Sequence, residues 1–533
     1  MVSATPMRHR LYGIVRDHID LQPVMKSAGS IVIAVSIFAS IITSTYAKSV
    51  IDTSVPDGNW LATALDLIST ERMLSDITVL SGPAFRGRLA GSRQDEESAE
   101  FIANRFGALR LQRSPSPAPH SRTNPLPQRE WKQTSSLPMT TISTETSLTL
   151  LLPNTQRPLE EGGEFLPILD SPSAEVRAPI VFVGYGLSDP PRGIDDYAGI
   201  DVQNKIVLFL RGKPDAYNGP ATHADKERIA RQHGAIAYLT ATGPILTEYE
   251  QRRGVTGTPS AFYSSLTESS PQLPGAWIST TTAEVILNAD GGTTTLRIMQ
   301  EKMSRKGSPQ SRETRASADM RWTSRTTTGT LFNVISVIRG YSPETDQAVL
   351  IGAHRDHFGE QAGLLFAGAD DNASGTAVLL EVARVMALAP AAPKHSVLFI
   401  SFSGEERGLL GSRLYVSQPI VPLEKTIAMI NVDHAGVGNG RLTVGVTGFE
   451  KALARDFGQL AGLSERVDVF GFFPGGDHVP FKESGVPTIT VVSGGVHPHF
   501  HQPTDTADTI NPEILRSVAR YVFTVAWQLA NQP

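Results

Sequence analysis

The sequence predicts an α/β fold in which a mixed, mainly parallel β-sheet is flanked by helices. Short runs of β-branched residues, bounded by Gly, Pro or polar residues, are typical of buried parallel strands. They lie at residues 347–351, 396–400, 426–432 and 487–492. Other segments have apolar residues at helical spacing. The combination indicates helices packed on a sheet.

Three segments predict these helices in chain order, and we expect the last of them to pack on the sheet. The apolar positions are Phe101, Ile102, Phe106 and Leu109, then Val378, Val382 and Val385, then Leu515, Val518, Val522 and Val525. Residues 112–138 are rich in Pro and Ser and predict an exposed loop after the first of these helices.

Composition limits the class of protein. The 533 residues exceed one ordinary domain, and 40% hydrophobic with 19% charged residues is typical of a globular chain. The formal net charge of −5 and the lack of a long basic stripe argue against a nucleic-acid partner. Without cysteine the chain has neither disulfides nor a thiolate metal site.

The N-terminal residues 1–47 predict a signal peptide with a long basic leader, or a membrane anchor. Residues 31–42 form an apolar stretch that follows Lys26 and precedes a cleavage motif ending at Ala47. The stretch is short for a membrane span, and a start at Met25 would give an ordinary signal sequence. We expect an exported protein, periplasmic or secreted, with membrane contact only if the segment stays uncleaved.

Five residues that can bind metal lie in separate segments, each after an apolar run. They are His354, Asp371, Glu406, Asp433 and His501. Open α/β sheets bind ligands beyond the carboxyl ends of their strands, so these side chains can converge. Imidazole and carboxylate suit Zn²⁺. Asp371 is the candidate for a ligand shared by two ions, because a helix beginning near Ser374 would present free N–H groups there.

The adjacent pair Glu405-Glu406 can divide its work. We assign Glu406 to the metal and Glu405 to acid/base catalysis. Each motif taken alone is more often a solvated face or a helix cap. All five in this order favour a metal site.

Residues 353–357, 369–375, 404–412, 431–433 and 501–506 together resemble the M28 family of zinc peptidases, which includes bacterial aminopeptidases. Residues 85–92 resemble the stretch that precedes the first helix in that family.

The resemblance implies two Zn²⁺ ions, although the sequence does not separate zinc from other divalent metals. It implies that His354 and Asp433 bind one ion, that Glu406 and His501 bind the other, and that Asp371 binds both. It also implies that Glu405 is the general base, that Asp356 orients the His354 ring, and that a cis peptide follows Asp371.

Two positions depart from the family pattern, and we expect them to affect specificity. Arg355 stands where tyrosine is frequent, and His434 where methionine is frequent. His497 and His499 lie outside the pattern, so we expect neither to be a ligand. Asp477-His478 resembles a segment near the family's cleft, but a structural turn explains it equally well.

The predicted domains are residues 1–47, the signal or anchor; 48–164, the first part of the peptidase domain; 165–315, an insert; and 316–533, the main part. Residues 180–186, 195–202, 205–208 and 226–239 of the insert resemble a protease-associated (PA) domain, which implies a lid. The basic stretch 302–325 predicts a return linker.

The function implied is an exopeptidase acting on a peptide or protein substrate, and aminopeptidase is favoured by family frequency. A carboxypeptidase, a glutaminyl-cyclase-like acyltransferase and a non-catalytic binding module remain alternatives. The sequence does not reveal side-chain preference or oligomeric state.

Overall fold

A computed structural model describes residues 58–109, 112–113, 132–247, 250–251, 254–264, 273–293, 295–306, 309–342 and 346–533. The predicted signal segment, residues 1–47, lies outside the described residues. Within the described ranges, every helix is too short or too polar to cross a membrane.

The α-helices of the described residues are α1 (Gly58–Asp66), α2 (Thr70–Leu80), α3 (Arg93–Ala108), α4 (His223–Gln232), α5 (Thr280–Leu287), α6 (Leu296–Lys306), α7 (Gly375–Ala387), α8 (Leu410–Ser417), α9 (Lys451–Leu460), α10 (His478–Glu483) and α11 (Pro512–Ala530). Short 3₁₀ turns connect several of them.

The strands are β1 (Gln112–Arg113), β2 (Lys132–Ile142), β3 (Ser147–Leu152), β4 (Thr155–Pro158), β5 (Phe165–Pro167), β6 (Ala174–Phe182), β7 (Ser188–Asp189), β8 (Ile194–Asp195), β9 (Ile206–Leu210), β10 (Ala237–Ala241), β11 (Gly275–Ile278), β12 (Arg312–Trp322), β13 (Ser324–Ile338), β14 (Ala348–His354), β15 (Gly359–Gln361), β16 (Leu364–Phe366), β17 (Ser396–Phe402), β18 (Thr426–Val432), β19 (Leu442–Thr447), β20 (Val467–Phe470) and β21 (Thr488–Ser493).

The first large sheet has the strand order β1-β13-β17-β14-β18-β21-β19-β20, with β2 also paired to β13. Strands β17, β14, β18 and β21 run parallel, whereas β13 and β19 are antiparallel to their neighbours. These four parallel strands are the ones predicted from β-branched runs. The mixed, mainly parallel fold class is confirmed.

The parallel register places the carboxyl ends of three strands side by side. His354, the last residue of β14, pairs with Phe402 at the end of β17, and Gly352 pairs with Asn431 near the end of β18. Helices α7 and α11 pack against each other and against strands of this sheet, with their apolar positions buried. The chain segments that follow β14, β17 and β18 therefore start at one edge.

The second large sheet has the order β4-β3-β12-β6-β9-β10-β11-β5 and uses residues from 147 to 322. Its core includes Phe182, Leu208 and Leu239. The predicted insert, residues 165–315, lies within this span and is exceeded by it at both ends.

Two loop predictions are wrong. Residues 132–138 belong to β2, which pairs along β13. Residues 302–325 contain the end of α6, all of β12 and the start of β13. In β12 the buried positions Ala316, Ala318, Met320 and Trp322 alternate with polar ones, and this period of two was masked by the basic composition.

Candidate metal centre

The five predicted ligands converge around Asp371. His354 Nε2 lies 3.4 Å from Asp371 Oδ1 and 3.3 Å from Asp433 Oδ1. His501 Nε2 lies 3.2 Å from Asp371 Oδ2 and 3.5 Å from Glu406 Oε2. The two oxygen atoms of one buried carboxylate therefore face two different histidines, each accompanied by a further carboxylate.

Each ligand is placed by the end of a strand or by a turn. His354 ends β14, Asp433 directly follows β18, and Glu406 lies in the turn after β17. Asp371 lies in the turn Ala369–Ser374 that leads into α7. The peptide bond between Asp371 and Asn372 is cis, which confirms the expectation from the resemblance.

The turn around Asp371 is tied to neighbouring segments by hydrogen bonds. The Asn372 side chain donates to the carbonyl of Val432 at 3.0 Å. The carboxylate of Asp505 accepts from the N–H groups of Asp370 and Asp371 at 2.8 and 3.0 Å. These bonds hold the shared carboxylate against the end of β18.

Arg88 joins the loop of His354 to the loop of Asp371. Its guanidinium is fully buried and donates to the carbonyls of Ala367 and Gly368 at 2.9 and 2.8 Å, and also to those of Arg355 and Leu80. Sequence reasoning did not single out Arg88 or Asp505, although both lie in segments that carry the family resemblance.

Glu405 lies on the His354 side of the site. A carboxylate oxygen of Glu405, a ring nitrogen of His354 and a carboxylate oxygen of Asp433 all lie within 4.8 Å of one another. Burial raises the pKa of Glu405 to about 8, and the nearby carboxylates of Asp477 and Asp433 raise it too, against the opposing effect of His354. The side chain can therefore hold a proton near neutral pH.

Asp356 contacts both His354 and Glu405. The His354 Nδ1–H donates to the main-chain carbonyl of Asp356 at 3.2 Å, whereas the Asp356 carboxylate is farther, at 3.7 Å. That carboxylate accepts the N–H of Glu405 at 3.2 Å. The carbonyl is thus the nearer partner of the ring, and the carboxylate fixes the main chain at Glu405.

Comparison with known proteins gives the family. Residues 333–526 match Peptidase family M28. These residues form an M28 peptidase domain.

Curated relatives match over part of their length. Aminopeptidase YwaD of Bacillus subtilis is 30% identical over 37% of this chain and 44% of that protein. A probable leucine aminopeptidase of Arthroderma otae is 28% identical over 36% of this chain and 57% of that protein. The chain spans about half the length of these relatives.

Two solved structures share the fold over nearly the whole chain. An aminopeptidase from Aneurinibacillus sp. strain AM-1 has a TM-score of 0.61 at 23% identity, covering 89% of this chain and 97% of that one. A Peptidase M28 precursor from Shewanella amazonensis SB2B has a TM-score of 0.62 at 21% identity, with the same coverage. The predicted family resemblance is confirmed, whereas the PA-like nature of the insert stays a prediction.

Two further histidines contribute to the site of the M28 domain. His357 Nδ1 lies 2.7 Å from Glu406 Oε1, and burial lowers the pKa of this imidazole well below its usual value, which keeps it neutral. His434 Nε2 lies 3.6 Å from Asp371 Oδ2 and 4.0 Å from Asp433 Oδ1. His357 was missed although it belongs to the matched segment 353–357.

Asp370 supports His434 from behind. Its Oδ2 lies 3.3 Å from His434 Nδ1 and 2.7 Å from His497 Nδ1. The half-buried His434 ring therefore faces the shared carboxylate with one nitrogen and Asp370 with the other. By contrast, His499 lies beside Thr504, with Nδ1 2.9 Å from the hydroxyl oxygen.

Arg355 does not affect specificity by direct contact, so that expectation is wrong. Its side chain is fully buried and forms an ion pair with Asp95 of α3 at 2.8 Å. Its Nη1 also donates to the carbonyls of Ser401 and Phe402 at 3.2 Å. The arginine joins α3 to the end of β17.

Asp477 and His478 lie at the start of α10 and are buried. His478 Nε2–H donates to the carbonyl of Phe473 at 3.1 Å. These contacts are those of a structural turn, and we assign neither residue a catalytic role.

The residues present fit a pair of divalent cations. Three carboxylates and two imidazoles supply the oxygen and nitrogen ligands that Zn²⁺ prefers. The Nδ1–H groups of His354 and His501 donate to main-chain carbonyls, which leaves each Nε2 lone pair facing Asp371. The shared carboxylate is also the ligand that two neighbouring ions need.

Proposed function

We propose that the protein is a zinc-dependent exopeptidase with two metal ions, acting as an aminopeptidase. The observation that carries the proposal is the division of Asp371 between two histidines, at 3.4 Å from one oxygen and 3.2 Å from the other. His354, Asp433 and Asp371 would hold one ion, and His501, Glu406 and Asp371 the other.

The chemistry combines the metal pair with Glu405. When bound, two zinc ions supply Lewis acidity that makes water nucleophilic near neutral pH and stabilises negative charge on the substrate oxygen. Glu405 accepts the proton of the attacking water and transfers it to the leaving amine, a contribution of typically about 10²–10⁴-fold. The hydrogen bond from the Glu405 N–H to Asp356 holds this residue in place.

The choice of aminopeptidase rests on relatives. YwaD and the Arthroderma otae protein are named aminopeptidases. A Zea mays relative, 29% identical over 38% of this chain, is named a probable glutamate carboxypeptidase, so carboxypeptidase is the second candidate.

An end-group assay tests the proposal. Zinc-loaded protein is given peptides with free termini, the same peptides acetylated at the N-terminus, and the same peptides amidated at the C-terminus. We expect cleavage of the free and amidated peptides but not of the acetylated ones, loss of cleavage after chelation, and its return with zinc. Cleavage that requires a free carboxyl terminus would select the carboxypeptidase, and chelator-resistant cleavage would contradict the metal mechanism.

A further inference from the structure

The ring of His501 is held by a loop that lies far from it in sequence. His501 Nδ1–H donates to the carbonyl of Ala261 at 2.9 Å, and the Ala261 N–H donates to the carbonyl of His501 at 3.0 Å. Because Nδ1 carries the proton, the lone pair of Nε2 is free, and Nε2 is the atom that faces Asp371 and Glu406. Ala261 therefore selects the tautomer that a metal ligand requires.

Further contacts fix the same loop, residues 254–264, against the segment of His501. The Gln502 side chain donates to the carbonyl of Pro259 at 2.7 Å and to the hydroxyl of Ser260 at 3.0 Å. Gly254 approaches so closely that a Cβ atom there would lie 1.7 Å from the carbonyl oxygen of His497. The two backbones fit only with glycine at this point.

Aromatic packing extends the contact. The Tyr263 ring lies 5.7 Å from that of Phe358, and Phe358 meets the His501 ring edge-on at 4.6 Å. Arg407, the neighbour of the proposed ligand Glu406, lies over Tyr263 at 4.2 Å. The loop thus contacts residues on the Glu406 side of the centre.

The loop is itself anchored to the second sheet. The N–H of Leu169, after β5, donates to the carbonyl of Phe262 at 3.2 Å, and the Ser264 N–H donates to Asp170 at 2.8 Å. The N–H of Thr280, at the start of α5, donates to the carbonyl of Gly257 at 2.7 Å. The position of His501 therefore depends on the sheet that contains the predicted insert.

His354 has no such dependence, because its Nδ1–H donates to Asp356, two residues along the same segment. We propose that loop 254–264 is a positioning device for His501 which strengthens metal binding at the His501–Glu406 position and leaves the His354–Asp433 position unaffected. This inference rests on the proposed function, since it takes His501 as a ligand. By thermodynamic reciprocity, metal at that position stabilises the loop.

The test uses Gln502→Ala in the full chain, with Thr256→Ala as the matched control. Thr256 is an exposed residue of the same loop whose hydroxyl contacts Thr258. Zinc is titrated in the presence of a competing chelator, which gives the stoichiometry and the two dissociation constants. We expect Gln502→Ala to weaken one position by about tenfold or more, and the other position and the control protein to be unchanged.

Hydrogen exchange of the unmutated protein provides a second measurement that needs no variant. Amides of residues 254–264 should exchange more slowly when the second zinc equivalent is added than when the first is. Equal zinc constants in Gln502→Ala and in the unmutated protein, with no zinc effect on loop exchange, would overturn the inference while the two-zinc proposal stands. An unmutated protein that binds no zinc would overturn both.

Discussion

At the scale of single residues, the adjacent Glu405 and Glu406 are assigned different tasks because their carboxylates face different groups. Glu405 lies with His354 and Asp433, and Glu406 with His357 and Asp371. We expect Glu405→Gln to retain two zinc ions but to lose about 10²-fold or more in kcat, because the amide cannot accept the proton. Metal content and kcat are measured on the same sample. Near-normal turnover in Glu405→Gln would remove its role as general base.

Glu406→Ala serves as the comparison for that variant. The substitution removes a carboxylate that lies 3.5 Å from His501 and 2.7 Å from His357. We expect this protein to lose one zinc equivalent as well as activity, measured by metal analysis after dialysis. Retention of two ions with unchanged affinity would contradict the assignment of Glu406 as a ligand.

The Arg355–Asp95 ion pair gives a residue-scale prediction about stability. Both side chains are fully buried, so Arg355→Leu leaves an unpaired carboxylate and should lower the free energy of unfolding by about 3–5 kcal/mol. Adding Asp95→Asn should restore part of the loss, because the remaining oxygen can still accept from Gly91 and Ser403. Urea unfolding of the three proteins measures this. Additive losses in the double variant would contradict the pairing.

At the scale of elements, the strands of the centre were predictable but several connections were not. The runs that became β14 and β18 are almost purely apolar because both faces of a parallel sheet are buried, which gives a strong signal. Strand β12 alternates buried and polar positions, and its basic residues gave it the composition of a linker. A period of two is easily missed when charge dominates.

The candidate site shows the same division. The five ligands were predictable because residue type determines metal chemistry. The partner of His501 is a main-chain carbonyl of Ala261, and every residue has one, so no side chain marks it in the sequence. Arg88 was equally hidden, since its role depends on carbonyls from three separate segments.

Arg88 gives the element-scale prediction for the loops that carry His354 and Asp371. Lysine cannot reproduce the planar fork, so Arg88→Lys should leave buried carbonyls unsatisfied and lower the free energy of unfolding by about 2–4 kcal/mol. The control is Arg86→Lys, at an exposed position paired with Glu360, where we expect a change within about 0.5 kcal/mol. Both are measured by chemical denaturation. Equal effects in the two variants would contradict the joining role of Arg88.

The turn after β6 gives a pH-dependent prediction. Asp196 Oδ2 accepts from the N–H groups of Tyr185 and Leu187, and burial raises the pKa of Asp196 to about 6, although Lys226 opposes the shift. The folded state therefore binds this proton more tightly than the unfolded state between about pH 4 and pH 6. The contribution of Asp196 to the free energy of unfolding should fall by up to about 3 kcal/mol as the pH rises through that window.

Asp196→Asn separates this contribution from those of neighbouring groups such as Asp195. The amide oxygen can still accept from the two N–H groups, and the titration is removed. Urea unfolding at several values between pH 4 and pH 6.5 should show a shallower decline in the variant than in the unmutated protein. Parallel pH profiles of the two proteins would rule out Asp196 as the source.

At the scale of the whole molecule, metal binding should couple the two sheets into a more stable unit. The proposed ligands come from β14, from the turns after β17 and β18, and from the segment that the second sheet holds through Ala261. Because the unfolded chain has no preformed site, zinc at about 100 times its dissociation constant should stabilise the fold by about 2.7 kcal/mol for each ion bound. Thermal unfolding with zinc and with chelator measures the shift in Tm. Glu406→Ala should show a smaller zinc-induced shift than the unmutated protein, because one ion is lost while the position formed by His354 and Asp433 still fills. A shift of equal size in the two proteins would mean that the stabilising zinc binds elsewhere on the molecule.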